Sequence, residues 1–122
     1  AGFIGSPAMN FISGVVELGE VRVSGLDASY AVKVQMPNDG TIVEMGIRSE
    51  HLTIVRGGGE LTVELTEALG GVSYAYIVTP NGERIVVEER GDERVSEGDK
   101  VSLSFDVSRA MLFDTRSEMR IR

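Results

Sequence analysis

Turn signals break this chain about every ten residues, and the stretches between them alternate apolar with polar side chains. Pro37-Asn38-Asp39-Gly40, Gly57-Gly58-Gly59, Gly70-Gly71 and Pro80-Asn81-Gly82-Glu83 are the clearest breaks. Proline fixes its own φ, and Asp-Gly and Asn-Gly supply the positive φ that tight turns demand. Such close punctuation leaves no room for long helices. It leaves room for many short strands, and so for a small barrel or sandwich.

The strands read as follows. Phe11 to Val23 is Val-rich and alternating, and Gly19-Glu20 interrupts it as a bulge or tight bend. Ser29 to Met36 alternates, with Tyr30, Val32, Val34 and Met36 on one face. Thr41 to Ile47 is a third strand. Glu60 to Leu69 is a fourth, with Leu61, Val63, Leu65 and Glu67 sharing a face. Val72 to Thr79 and Arg84 to Glu89 form a hairpin around Pro80-Asn81-Gly82-Glu83. Val101 to Phe105 is a strand after the loop Val95 to Lys100. Asp106 to Phe113 holds one helical turn, capped by Asp106 or Ser108. The expected fold is all-β: an OB-like β-barrel with additional short strands and at most one or two short helical turns.

The 122 residues suit one domain, and 42% hydrophobic with 25% charged residues suits an ordinary globular core. The formal net charge of -7 argues against a nucleic-acid partner and against docking on anionic lipid. No apolar run reaches the roughly 20 residues of a membrane helix, so direct membrane insertion is not expected. Cysteine is absent, which removes disulfides, thiolate metal sites and cysteine nucleophiles, and fits a reducing compartment. The start at Ala1 has no basic segment of the kind a signal peptide needs.

Catalytic chemistry finds no footing. The single histidine, His51, cannot supply the paired histidines of a zincin, and the expectation is that it packs or caps a loop. Glu88 and Glu89 are neighbours on a strand and point to opposite faces. Asp92-Glu93 reads as a solvated turn, and no EF-hand loop is present. The glycines do not make a phosphate loop, because Lys occurs only at Lys33 and Lys100 and neither follows Gly. Aromatic residues, at 6%, are too few for a single-strand nucleic-acid platform. The expectation is therefore no catalytic, cofactor or metal residue, and a binding or interaction module.

Four stretches, in order, carry a resemblance. They are Ala1 to Phe11; Gly46-Ile47-Arg48-Ser49-Glu50-His51-Leu52; Val63 to Tyr76 with Leu69-Gly70; and Val95-x-x-Gly98-Asp99-x-Val101 running to Leu112-Phe113-Asp114. Together they resemble the C-terminal regulatory domain, of the transport-associated OB (TOBE) type, of ATP-hydrolysing subunits of carbohydrate-type ABC importers. The maltose and glycerol-3-phosphate systems are members of that family. The second stretch departs from the family's pattern by Ser49 in place of Pro. Met111 stands where His is common, and Val72-Ser73 where an acidic residue is frequent.

The resemblance implies a division of the chain: 1–11 is a hand-over segment from an ATPase domain, and 12–122 is an OB-like regulatory domain. It implies a regulatory and dimerisation role, non-catalytic in this part, with ATP and Mg²⁺ bound by the ATPase domain. The implied partners are a second copy of the domain, the ATPase domain, the membrane permease subunits and a regulatory protein, on the cytoplasmic face of the membrane. The implied interface or regulatory residues are Pro7, Met9, Asn10, Phe11, Arg48, Glu50, His51, Leu69 and Gly70. A different role, as an oxyanion sensor, would need converging donors; Ser6, Ser24 and Arg48 are of the right type.

Overall fold

The computed structural model describes residues 9–90 and 94–122. Pro7 and Ser6, most of the expected hand-over segment, and Asp92-Glu93 lie outside the described residues. Eleven strands run in chain order: β1 Met9–Glu17, β2 Glu20–Val23, β3 Ala28–Tyr30, β4 Ile42–Arg48, β5 Leu52–Val55, β6 Leu61–Leu69, β7 Val72–Val78, β8 Arg84–Glu89, β9 Lys100–Phe105, β10 Met111–Asp114 and β11 Arg120–Ile121. Three single 3-10 turns, Ser24–Leu26, Ser49–His51 and Val107–Arg109, are the only helical elements among the described residues. The all-β, OB-like expectation is met, with three short helical turns where at most one or two were expected. No helix is long and apolar enough to cross a membrane, among the described residues.

The strands form two antiparallel sheets. The first has six strands in the order β11-β10-β4-β1-β2-β3; the second has five, β5-β9-β6-β7-β8. The two edges of the second sheet, β5 and β8, lie against one another, so that sheet rolls towards a barrel. One continuous core lies between the sheets. Ile12, Val16, Val43, Met45, Ile47 and Leu112 enter it from the first sheet, and Leu61, Val63, Ala75, Ile77, Ile85 and Val87 from the second. Each set follows the two-residue period of its strand, as a half-buried sheet requires.

Local differences from the sequence reading have physical causes. The break in the first long segment is a two-residue hairpin turn at Leu18-Gly19, with φ of 52° and 76°. Paired positive φ matches the twist of the flanking strands. The segment expected as a strand over Ser29–Met36 pairs only through Tyr30. Beyond it the chain is irregular, with a tight turn closed by the Val34 N–H on the Val32 carbonyl at 3.0 Å. Its alternation survives without a ladder: Val32 is buried, and Val34 and Met36 pack on the core.

In β6 the register shifts between Val63 and Leu65. Val63 faces inward opposite Ile77, whereas Leu65 pairs with Tyr76 on the other face. Leu65 is therefore exposed, and the expectation that Leu61, Val63, Leu65 and Glu67 share one face is corrected. One extra residue in a strand inverts the pattern beyond it. The expected helical turn after Asp106 is the 3-10 turn, with the Asp106 carboxylate accepting from the Ser108 N–H at 2.9 Å. The short strand β11 lies in the polar C-terminal stretch, whose sequence carried no strand signal.

Two side chains, one from each sheet's side, tie the first sheet to β8 and the turn before it. Asn10, only 7% exposed, donates from Nδ2 to the Val86 carbonyl at 2.9 Å, and its Oδ1 accepts from the Val86 N–H at 2.8 Å. The same Nδ2 reaches the Ile47 carbonyl at 3.3 Å. One amide thus fills the place of a neighbouring strand at an edge that would otherwise carry orphan backbone groups. Further along, Glu83 Oε2 accepts from the Ser13 N–H at 3.0 Å. The Glu83 turn also closes on Gly25, where a Cβ would sit 2.9 Å from Glu83 Oε1.

Candidate functional site

The outward face of the six-stranded sheet carries an apolar cluster that no layer of the described chain covers. Strand pairing sets its rows. Phe11 of β1 lies opposite Gly46 of β4, and Met111 of β10 pairs with Gly46 from the other side. Met9 pairs with Arg48, and Phe113 with Glu44. Because side chains alternate, Met9, Phe11, Glu44, Gly46, Arg48, Met111 and Phe113 share this one face.

Gly46 shapes its centre. A Cβ there would lie 2.8 Å from Phe113 Cε2 and 3.5 Å from Met9 Sδ. The missing side chain lets the Phe113 ring settle over β4. Phe113 and Phe11 meet edge to face, with centroids 5.3 Å apart and planes at 72°. Phe11 remains 50% exposed, and Ile42 on the same face of β4 is 59% exposed. Glu44 and Arg48 flank the cluster with opposite charge, and neither forms an ion pair among the described residues.

The residues singled out from the sequence separate into groups. Met9, Phe11 and Arg48 come together on this face. Asn10 points the other way and is occupied by the tie to β8. Glu50 and His51 lie in the 3-10 turn Ser49–His51 that follows β4. The Glu50 carbonyl accepts from the Arg90 guanidinium, and Arg48 and Glu50 make no ion pair with each other. Leu69 and Gly70 belong to the β6–β7 hairpin end, where Gly70 and Gly71 have φ of 59° and 88°. That end belongs to the other sheet. Gly46, Met111, Phe113 and Glu44 join the face although none was among the implied interface residues; the alternation Met111-x-Phe113 was the signal that could have placed the two β10 side chains there.

Two hollows of about 390 Å³ each flank Gly59-Glu60, one reaching Thr62, Thr79 and Lys100 and the other Ser24, Asp27, Tyr30 and Leu103. A cleft of about 180 Å³ between β5 and β8 is lined by Leu52, Ile54, Arg56, Val87, Glu89 and Val95. It is smaller than the roughly 300 Å³ at which small-molecule pockets begin. In it Glu89 Oε2 accepts from the Val95 N–H at 2.9 Å. Of the expected oxyanion donors, Ser6 lies outside the described residues and the other two do not converge: Arg48 stands opposite Met9, whereas Ser24 follows β2 on the other side of β1. Among the described residues no group of three or more His, Cys, Asp or Glu is placed to hold a metal ion.

The ionisable groups with shifted affinity are structural. Burial raises the Tyr30 phenol. Tyr76 is raised by burial first, then by its hydrogen bond to Glu67 at 2.8 Å and by that carboxylate's charge. Asp106 is held low by the hydrogen bonds from Ser108. None of the three lies on the apolar face.

Known proteins share this sequence along its length. Residues 5–52 match the MalK OB fold domain, and residues 45–113 match the TOBE domain. The lactose transport ATP-binding protein LacK of Rhizobium radiobacter is 37% identical over 135 aligned residues, covering all of this chain and 37% of the relative. The sn-glycerol-3-phosphate import ATP-binding protein UgpC of Chromohalobacter salexigens is 36% identical, covering 95% of this chain and 33% of the relative. The trehalose/maltose import ATP-binding protein MalK of Thermococcus litoralis is 35% identical, covering 93% and 34%. The chain thus spans about a third of the length of the curated relatives it matches, and the match falls in their C-terminal region.

Proposed function

This chain belongs to the family of TOBE and MalK-type OB-fold domains found in sugar ABC importer ATP-binding proteins, and from that membership we propose that it is the regulatory and dimerisation part of such a subunit. The observation that carries the reading is the extent of the match. The two family descriptions overlap at 45–52 and between them run from residue 5 to residue 113, through both sheets. Relatives named for lactose, glycerol-3-phosphate and trehalose or maltose transport align over at least 93% of the chain.

In this reading ATP and Mg²⁺ bind elsewhere in the parent subunit. This part holds two subunits together, at the cytoplasmic face of the membrane beside the permease subunits, and receives a regulatory protein. The chemistry supports such a division of labour. The face around Gly46 is apolar and built from backbone-fixed strands, which suits a standing protein contact better than turnover. A carbohydrate or related solute is the transported class; the relatives' names differ in the solute, so the class is as far as they reach.

Two measurements test the reading. Calorimetric titration of this chain with Mg-ATP is expected to give no binding heat, and saturable binding would overturn the non-catalytic assignment. In the parent importer, replacing residues 9–122 by the matching part of another relative is expected to keep ATP hydrolysis and solute uptake while changing their regulation. Uptake and regulation both unchanged would overturn the regulatory role. No observation favours the oxyanion-sensor reading, since Ser24 and Arg48 lie apart.

A further inference from the structure

We propose that the two hollows beside Gly59-Glu60 form one groove that binds a neutral polyhydroxylated ligand of two-ring size, a disaccharide, where the two sheets meet. The groove adds a ligand site to the regulatory reading above and does not depend on it.

Size and continuity come first. Each hollow measures about 390 Å³, and Gly59, Glu60 and Pro80 line both. Each therefore clears the roughly 300 Å³ at which small-molecule pockets begin. Two adjoining hollows with a waist between them suit two linked rings better than one compact ion. The walls come from both sheets. Ser24 and Tyr30 lie in the 3-10 turn after β2 and in β3, whereas Thr62 lies on β6 and Lys100 and Leu103 on β9. Gly59 permits the close approach at the waist. It has φ of 136°, and a Cβ there would collide with the Val101 carbonyl. Backbone packing, rather than a long side chain, thus sets the waist.

Charge and hydrogen-bonding capacity select the ligand. Glu60 stands at the waist, Lys100 and Thr62 line one hollow, and Asp27 and Ser24 line the other. The Lys100 ammonium donates to Thr62 Oγ1 at 2.6 Å, and an ammonium has two further N–H groups to give. Asp27 accepts from Arg22 at 2.5 Å and keeps lone pairs beyond that bond. Neither Glu60 nor Lys100 has an ion-pair partner among the described residues. An anion in the groove would meet Glu60 and Asp27, and a cation would meet Lys100, so each would face a like charge. A sugar hydroxyl both donates and accepts, so a neutral polyol can use the carboxylates and the ammonium together. The apolar lining suits the C–H faces of sugar rings. It includes Leu26, Leu103, Pro80 and Tyr30, whose ring rests on Phe105 with centroids 5.0 Å apart.

Amide NMR titration of this chain with maltose, lactose and trehalose tests the site. At least one of the three should move the signals of residues 59–62 and 100–103 saturably. Sulfate, a dianion, and putrescine, a dication, should leave those signals in place. Glu60→Ala and Lys100→Met should each weaken the sugar's binding by about tenfold, the loss expected for one hydrogen bond to a charged group. Both side chains are exposed, so far-UV circular dichroism should show the fold intact in each variant. No saturable shift from any of the three sugars, or shifts confined to other residues, would overturn the proposal and leave the regulatory reading standing. Equal shifts from sulfate or putrescine would overturn the choice of a neutral ligand. Variants that bind the sugar as the wild type does would overturn the place assigned to it.

Discussion

Replacing Asn10 by Ala would leave the Val86 N–H and carbonyl without the partners they now have at 2.8 and 2.9 Å. A fully buried group so orphaned costs about 1–3 kcal/mol; Val86 is half-buried, so the two together should lower stability in Asn10→Ala by about 2–4 kcal/mol, the lower part of the summed range. The urea midpoint reads this directly, and a shift worth less than about 1 kcal/mol would show that water replaces the amide. Leu18 behaves oppositely. It is 92% exposed and held at φ 52°, a region that costs an ordinary side chain about 1–2 kcal/mol. Leu18→Asn should therefore raise stability by about 0.5–1 kcal/mol, seen as a higher thermal midpoint. At Gly46 an added methyl meets the Phe113 ring, so Gly46→Ala should cost about 1–3 kcal/mol. Adding Phe113→Leu should cost less than the two single losses summed, because removing the ring relieves the clash.

Strands whose register runs undisturbed were legible in the sequence. The β7–β8 hairpin, β4 and β9 fall close to where alternation and turn residues put them, because period two and Asn-Gly chemistry are local properties. The shift in β6 was not legible. Nothing in Val63-Glu64-Leu65 distinguishes a bulge from a straight strand, since the bulge is set by what β7 presents across the ladder. The candidate face was half legible for a related reason. Met9, Phe11 and Arg48 were among the implied interface residues, but Met111 and Phe113 reach them only through β4, and pairing order is a property of the sheet. The bulge has a measurable effect of its own, because it sets Glu67 and Tyr76 on one face, in hydrogen-bond contact. Folding raises the Tyr76 phenol above its ordinary value of 10.0. The associated stability is fully present below about pH 10 and is lost as pH rises through the folded value. Tyr76→Phe should flatten that alkaline loss, leaving the part due to Tyr30, in urea unfolding measured across alkaline pH.

Across the whole molecule the two sheets share one core and are joined at β8 by Asn10 and Glu83, so neither sheet has an apolar face that is independently covered. Unfolding should be a single transition. Tyr30 reports on the first sheet and Tyr74 and Tyr76 on the second, so tyrosine emission and far-UV circular dichroism should give coincident urea curves. Two separated transitions would show that the sheets unfold as units. The same joining has a meaning for the timing of synthesis. The Asn10 amide and Val86 are 76 residues apart. At about 5–20 residues per second, several seconds pass between the translation of one and of the other. Through that interval β1 can pair with β2 and β4, yet of its amide's partners only the Ile47 carbonyl is at hand and Val86 is not. The nascent chain therefore carries a half-finished sheet with an open side, and that interval is when a chaperone has something to hold.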